Sequence, residues 1–463
     1  MMNAEIFRAY DIRGIADTDL TDPVVENIGQ AFATMAIRKS GNDMPRIGVG
    51  RDARRSSDRI CDALERGLLR AGAHVVHLGV VPTPLTYFAT FQREFDGSIQ
   101  ITGSHNPGEY NGFKMMLGRD TLHGNTIQQL RILIENGDLI TSDDKRDHGT
   151  SAMAELRKEY IEWVRDDIQM GDRKLHIAVD SGNGVAGIVA PELLRDAIGA
   201  KVFELYTQPD GSFPNHHPDP TVAENLTDLI EAVRDHGCDF GVAYDGDGDR
   251  IGVVDEEGTI IWGDQLLIIF ARQVLKENPG ATIIGEVKCS QTLFDDIEKH
   301  GGTPIMARVG HSLIKAKIKE TDAELAGEMS GHIFFNDRFF GFDDALYATC
   351  RLAEIVSRTN QPFSALLADV PPTFATPEIR RPCAESVKFS VPDLVAEVFA
   401  PEYEVNTIDG VRVKFNHGWG LVRASNTQPV VVMRVEADSP EARDRYMKWL
   451  EDAVDTAEEK LTG

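Results

Sequence analysis

The sequence is poor in cysteine, poor in positive charge and free of long apolar runs, and each shortage closes off a class of protein. Five cysteines (Cys61, Cys238, Cys289, Cys350 and Cys383) are odd in number, widely spaced and form no C-x-x-C pair. That argues against a disulfide scaffold or a thiolate zinc site and fits a reducing compartment. Lys and Arg total 48 against 74 Asp and Glu, a formal charge of −26. Phosphate polyanions are repelled by such a chain on average, which argues against general binding to nucleic acid or to an anionic membrane but leaves room for one local basic pocket. No apolar run approaches a membrane span, and the opening "MMNAEIFRAYDIRG" lacks the apolar stretch of a secretion signal, so the expectation is a soluble, cytoplasmic protein. The G-x-S-x-G elbow of acyl hydrolases is also missing.

What is present is a folded chain: 42% hydrophobic and 26% charged residues over 463 positions, enough for about three or four domains. "RIGVG", "HVVHLGVV" and "SIQIT" read as strands alternating with the amphipathic helices "SDRICDALERGLLRAG" and "TPLTYFATFQREF", the pattern of a mostly parallel sheet covered on both faces. The pattern recurs at "KLHIAVDSGNG…APELLRDAIGA…KVFELY" and at "ATIIGEV…SQTLFDDIEKHGG…TPIMARVG", each time with a glycine between helix and strand. Each unit then leads to a strand that ends in an unusual loop: "TGSHNP", "YDGDGDR" or "GEMSGH". Ligands gather beyond the carboxyl ends of strands in open α/β sheets, so three equivalent loops can share one cleft. After "DVPPTFATPEIRRP", whose paired prolines suggest a linker, hairpin strands and a last helix make a smaller α+β unit.

In "DGDGDR", Asp245, Asp247 and Asp249 alternate with glycines, a spacing that aims hard oxygens at one divalent cation. An EF-hand and a metal-free turn compete with this reading, but an EF-hand needs glycine at the sixth position, where Arg250 stands, and helical flanks where these look like strands. Mg²⁺ held by few protein ligands completes its shell with phosphate oxygens. Ser104 of "GSHNP" can carry a phosphoryl group, with His105 and Lys114 near in sequence to move protons or bind oxygens; taken alone, "GSHNP" is more often a turn than a site, and the metal loop reverses that reading. Glu328, Ser330 and His332 of "GEMSGH" suit sugar hydroxyls, or else a solvated loop. Arg423, Ser425, Asn426 and Thr427 of "RASNT" suit a phosphate, although the motif is weak in isolation.

In this order and spacing the four loops resemble those of the α-D-phosphohexomutase family, most closely its bifunctional phosphomannomutase/phosphoglucomutase branch, from "FRAYDIRG" to "GLVRASNTQP". The resemblance implies three similar mixed-sheet α/β domains around a central cleft and a smaller C-terminal α+β domain like the TATA-binding protein, with boundaries expected at 1–150, 151–254, 255–368 and 369–463. It implies a phosphorylated Ser104, with one Mg²⁺ per subunit between that phosphate and Asp245, Asp247 and Asp249. Tyr10, Arg13, Lys114, Arg250, Lys288 and His311 match further cleft positions, to which the family assigns acid/base or phosphate-orienting work. Hexose 1-phosphates of mannose or glucose would become 6-phosphates through a 1,6-bisphosphate, with glucose 1,6-bisphosphate as activator; the methionine of "GEMSGH" fits these sugars better than glucosamine phosphates. A monomer or weak homo-oligomer is expected. A metal-dependent phosphatase and a non-catalytic Ca²⁺-binding protein are the competing readings.

Overall fold

The computed structural model describes residues 2–142, 153–425 and 429–462. In the first unit Arg46–Arg51 runs parallel to His74–Val80 on one side and to Gly97–Ile101 on the other, and Gly97–Ile101 returns antiparallel as Tyr110–Leu117. The second unit repeats this with His176–Asp180 between Lys201–Leu205 and Phe240–Tyr244, the latter returning as Ile251–Asp255. The third does so with Thr282–Glu286 between Thr303–Ala307 and Leu325–Gly327, which returns as Ile333–Phe335. Each unusual loop is thus the turn of an antiparallel hairpin. The sheets are mixed rather than mostly parallel because the segments 102–109, 245–250 and 328–332 are too short for the crossover that a further parallel strand needs.

The helix-ending glycines repeat as well: Gly72, Gly199 and Gly301 have φ of 96°, 68° and 82°, the left-handed region that a side chain resists. One apolar cluster joins the three units, running from Leu78 and Leu85 through Val179 and Val242 to Ile283 and Phe335. Where the third unit meets the other two it is lined with aromatic rings, Phe91 of the first unit lying 5.1 Å from Phe340 and Trp163 of the second 5.0 Å from Phe339.

The C-terminal unit is an antiparallel sheet built on Val430–Ala437, Gly418–Ala424, Val411–Phe415 and Glu404–Asn406, with its own core under the helices Val391–Phe399 and Pro440–Thr462. The stretch read as a linker is only partly one, since Phe374–Ala375 and Ile379–Pro382 both pair with Val430–Ala437. Pro382 is tolerated there because a strand's end residue can spare its N–H. Among the described residues no helix is long and apolar enough to cross a membrane.

Candidate active site

The three hairpin turns and the strand Gly418–Ala424 meet at a single cleft of about 1060 Å³. Tyr10, Arg13, Ser104, His105, Lys114, Arg250, Lys288, His311, Glu328, Ser330, His332, Arg423 and Ser425 all line it. Asn426 and Thr427 lie outside the described residues. In a chain of net charge −26 the lining is rich in arginine and lysine, a local reversal of sign that suits an anion.

Ser104 is buried, and its backbone sits at φ 48°, a strained conformation for a residue with a side chain. The strain is held by Arg54, whose guanidinium donates to the carbonyl oxygens of Ser104 (2.7 Å), Asn106 (2.6 Å), Pro107 (2.6 Å) and Tyr110 (3.1 Å). Asp52 accepts from Arg54 Nε at 3.1 Å and from the N–H of Gly103 at 3.0 Å. A Cβ on Gly103 would stand 2.3 Å from that guanidinium, so the turn admits only glycine there. Thus fixed, Ser104 Oγ lies 2.7 Å from Asp245 Oδ2 and 3.1 Å from His105 Nδ1. Burial, reinforced by the charges of Arg250, Arg13 and Lys114, holds His105 well below its ordinary range, so the ring is neutral at pH 7.

Asp245, Asp247 and Asp249 are fully buried beneath the cleft, and their ligand atoms lie within 4.8 Å of one another. The flanking strands exclude the helical frame of an EF-hand. Asp245 Oδ1 is occupied by the N–H groups of Gly248 (3.0 Å), Asp249 (3.1 Å) and Arg250 (3.2 Å). Burial and the neighbouring charges of Asp247 and Asp249 raise its pKa well above the ordinary carboxylate range. Lys114 donates to Asp247 Oδ2 at 2.7 Å and also pairs with Asp249; burial opposes its charge, but the carboxylates outweigh burial and hold it above the usual lysine value. Oδ1 of Asp247 and Oδ1 of Asp249 are buried without a hydrogen-bond partner among the described residues. Crowded carboxylates with spare oxygens, only partly neutralised by one lysine, fit a divalent cation.

On the opposite wall, Glu328 Oε1 accepts the N–H of Gly310 at 2.7 Å, which ties its loop to the start of the helix His311–Thr321. Tyr10 lies across Gly310, where a Cβ would come within 2.5 Å of its ring. Arg423 Nη2 is 3.1 Å from Asp409 Oδ2, and its Nε has no hydrogen-bond partner among the described residues. Lys288 Nζ stands 3.6 Å from Glu378. Arg412 straddles that lysine, donating to the carbonyls of Val287 (2.6 Å) and Cys289 (2.8 Å).

Several residues were not singled out from sequence. Arg8, Arg380 and Arg434 line the cleft, and Arg54 and Thr83 support its two loops, Thr83 Oγ1 donating to Asp247 at 2.5 Å. Arg8 stands just before "AYDIRG", the only local signal among them.

The sequence profiles of the phosphoglucomutase/phosphomannomutase family match along the chain, as α/β/α domain I at 4–139, domain II at 158–258, domain III at 262–374 and the C-terminal domain at 378–453. A phosphomannomutase/phosphoglucomutase of Pseudomonas aeruginosa is 45% identical over 96% of this chain and 94% of its own. A phosphoglucomutase of Neisseria gonorrhoeae is 43% identical over 98% and 97%. The crystal structure of a phosphoglucomutase/phosphomannomutase family protein from Burkholderia thailandensis superposes with a TM-score of 0.91 at 43% identity, covering 99% of this chain and 98% of that one. With both sequence and architecture matched end to end, the chain belongs to the phosphoglucomutase/phosphomannomutase family.

Proposed function

We propose that this enzyme interconverts the 1- and 6-phosphates of glucose and mannose by phosphoryl transfer through Ser104. The observation that carries the reading is the strained, clamped Ser104 with its Oγ 2.7 Å from the three-carboxylate loop, at the floor of a basic cleft. A phosphate on Ser104 would face Asp245 directly, and two anions there require a cation between them. Asp245, Asp247 and Asp249 would hold Mg²⁺. When bound, the ion neutralises charge on the transferring group.

In the forward direction the Oγ–P bond of phosphoserine 104 breaks as the free hydroxyl oxygen of the hexose 1-phosphate bonds to phosphorus. The hydroxyl proton passes to a neutral imidazole of the cleft, His105 or His311, both held below the ordinary histidine range by burial, while Lys114, Arg13 and Arg250, which stay protonated, orient the phosphoryl oxygens. Glu328 and Ser330 hold the sugar hydroxyls, with His332 of the same loop acting through Arg250, to which its Nε2 is bonded, while Arg423, Ser425, Asn426, Thr427, Lys288 and Tyr10 grip the phosphate that is not reacting. The 1,6-bisphosphate turns over in the cleft and returns its other phosphoryl group to Ser104. Glucose 1,6-bisphosphate would act as activator by phosphorylating bare Ser104. We further infer four domains at 1–150, 151–254, 255–368 and 369–463, a cytoplasmic location and a monomer or weak homo-oligomer.

One assay tests the reading. With Mg²⁺, a trace of glucose 1,6-bisphosphate and either mannose or glucose 1-phosphate, the 6-phosphate should accumulate without free phosphate. Release of inorganic phosphate in its place would make the protein a phosphatase.

A further inference from the structure

Behind the cleft, on the loop that follows Ile333–Phe335, Asp343 is fully buried and touches two cleft histidines at once. Its Oδ2 lies 3.1 Å from His332 Nδ1 and 3.4 Å from His311 Nδ1, and its Oδ1 accepts from Lys315 Nζ at 2.8 Å. The two rings are stacked, 5.4 Å between centroids with planes 19° apart. Lys315 is itself wedged 4.3 Å over the ring of Tyr87 from the first unit. The carboxylate is therefore pinned on one oxygen and presents the other to the two imidazoles.

Asp249, His332 and Asp343 bring ligand atoms close enough to suggest a second metal site. The donors around them argue otherwise. Arg250 Nε donates to His332 Nε2 at 3.0 Å, and a guanidinium does not give up its proton, so Nε2 is the acceptor and the ring proton of the neutral imidazole sits on Nδ1. A protonated Nδ1 is no metal ligand. It faces Asp343 Oδ2, off the line of a good hydrogen bond, and neither atom has another hydrogen-bond partner among the described residues. Lys315 already supplies positive charge to the same carboxylate.

We propose that Asp343 is a positioning residue for the phosphoryl-transfer site: anchored by Lys315, its carboxylate acts with Arg250 to hold the Nδ1-protonated tautomer and the orientation of His332, sets the pose of His311, and through His332 steadies the guanidinium of Arg250 over the metal loop. The proposal rests on the mutase reading for its kinetic consequence but not for its geometry. Asp343 is not among the residues lining the cleft, so it acts through its neighbours.

The test pairs Asp343→Asn with Lys315→Met and reads two quantities. In ligand-free wild-type protein with labelled histidine, ring ¹⁵N spectra should show His332 protonated at Nδ1 and unprotonated at Nε2. Asp343→Asn should erase or shift that signature, and Lys315→Met should broaden it. Mutase kcat should fall about tenfold to a hundredfold in Asp343→Asn, the usual loss when the partner orienting a site histidine is removed, with KM changed less than about threefold. Unchanged histidine spectra, or a variant with wild-type kcat, would overturn the proposal, as would a loss confined to thermal stability with kcat per folded molecule intact. A wild-type protein that shows the predicted spectra but makes no 6-phosphate would instead break the mutase reading and leave the Asp343 geometry standing.

Discussion

Besides the cores inside each, the three α/β units share one continuous apolar cluster, to which the C-terminal unit adds no buried residue among those described; it packs its own core and meets the third unit mainly through polar contacts. Arg412 reaches the carbonyls flanking Lys288, Ser290 Oγ donates to Glu436 at 2.7 Å and the N–H of Val309 to Asp409 at 3.1 Å, beside a small apolar patch of Val287, Trp419 and Leu421. The loop where a bond would break sits on the fused body, and Arg423 and the residues after it that would grip the distal phosphate sit on the latched one, with Tyr10 and Lys288 facing them from the fused side. Bond making tolerates little displacement, while a grip that must serve a monophosphate and a bisphosphate in turn gains from a body able to move. The two ways of packing fit the two tasks.

The hardest test of the fused side is its metal loop. Asp247→Asn should abolish measurable turnover at saturating Mg²⁺ while circular dichroism stays native; a near-normal rate would remove "DGDGDR" from catalysis. Next comes the clamp beneath Ser104. Arg54→Met takes the ion-pair partner from the buried Asp52 carboxylate, leaving it only neutral donors such as Ser57 and the N–H of Gly103, and unpairs four loop carbonyls, so urea unfolding of the fused body should lose about 3–5 kcal/mol. A loss under about 1 kcal/mol would mean that the serine turn holds its strained shape unaided. On the latched side, Arg423→Ala should cost about 1.5–3 kcal/mol of transition-state binding, roughly tenfold to a hundredfold in kcat/KM for both monophosphates. Phosphorylation of Ser104, followed by intact mass, should be unaffected, because Arg423 belongs to the other body.

Much of this contrast was legible beforehand. The triplicated strand, helix and glycine pattern is a local signal, and each repeat buries its own face, so the three units could be counted from sequence. Ser104, the aspartates and Glu328 stood out because turns that combine glycine with charge need a reason. Arg54, Asp343 and Lys315 did not stand out. Each is an ordinary charged residue in an ordinary helix or loop, and its meaning comes only from partners such as Pro107, His332 or Tyr87 that the fold brings from far along the chain. The short helix Val391–Phe399 and the strand Ile379–Pro382 were missed for a related reason: proline-bearing stretches read as breaks until a neighbouring strand supplies their pairing.

The smallest effect should come at the latch. Burial pushes Arg412 down to about 10, and its guanidinium is spent on the carbonyls of Val287 and Cys289 and stacked 3.7 Å from the Trp419 ring. Unlike Arg54 it has no ion-paired carboxylate among the described residues, so Arg412→Met should cost only about 1–3 kcal/mol, chiefly the penalty of unpaired carbonyls, and should cost it locally. Hydrogen exchange should quicken in Val411–Phe415 and at the 287–289 turn while the fused body keeps its protection. If this contact is the pivot, with the chain near Pro371 and Pro372 as the covalent hinge, small-angle scattering should show wild-type protein contracting when glucose 1-phosphate binds. The variant should start more expanded and contract further, with KM raised a few-fold because closing now begins from a wider ensemble. Ligand-saturated wild type with an unchanged radius of gyration would show that the cleft works without closure. Uniformly faster exchange across all four units would show that the two bodies unfold as one, and the comparison drawn from their cores would fail.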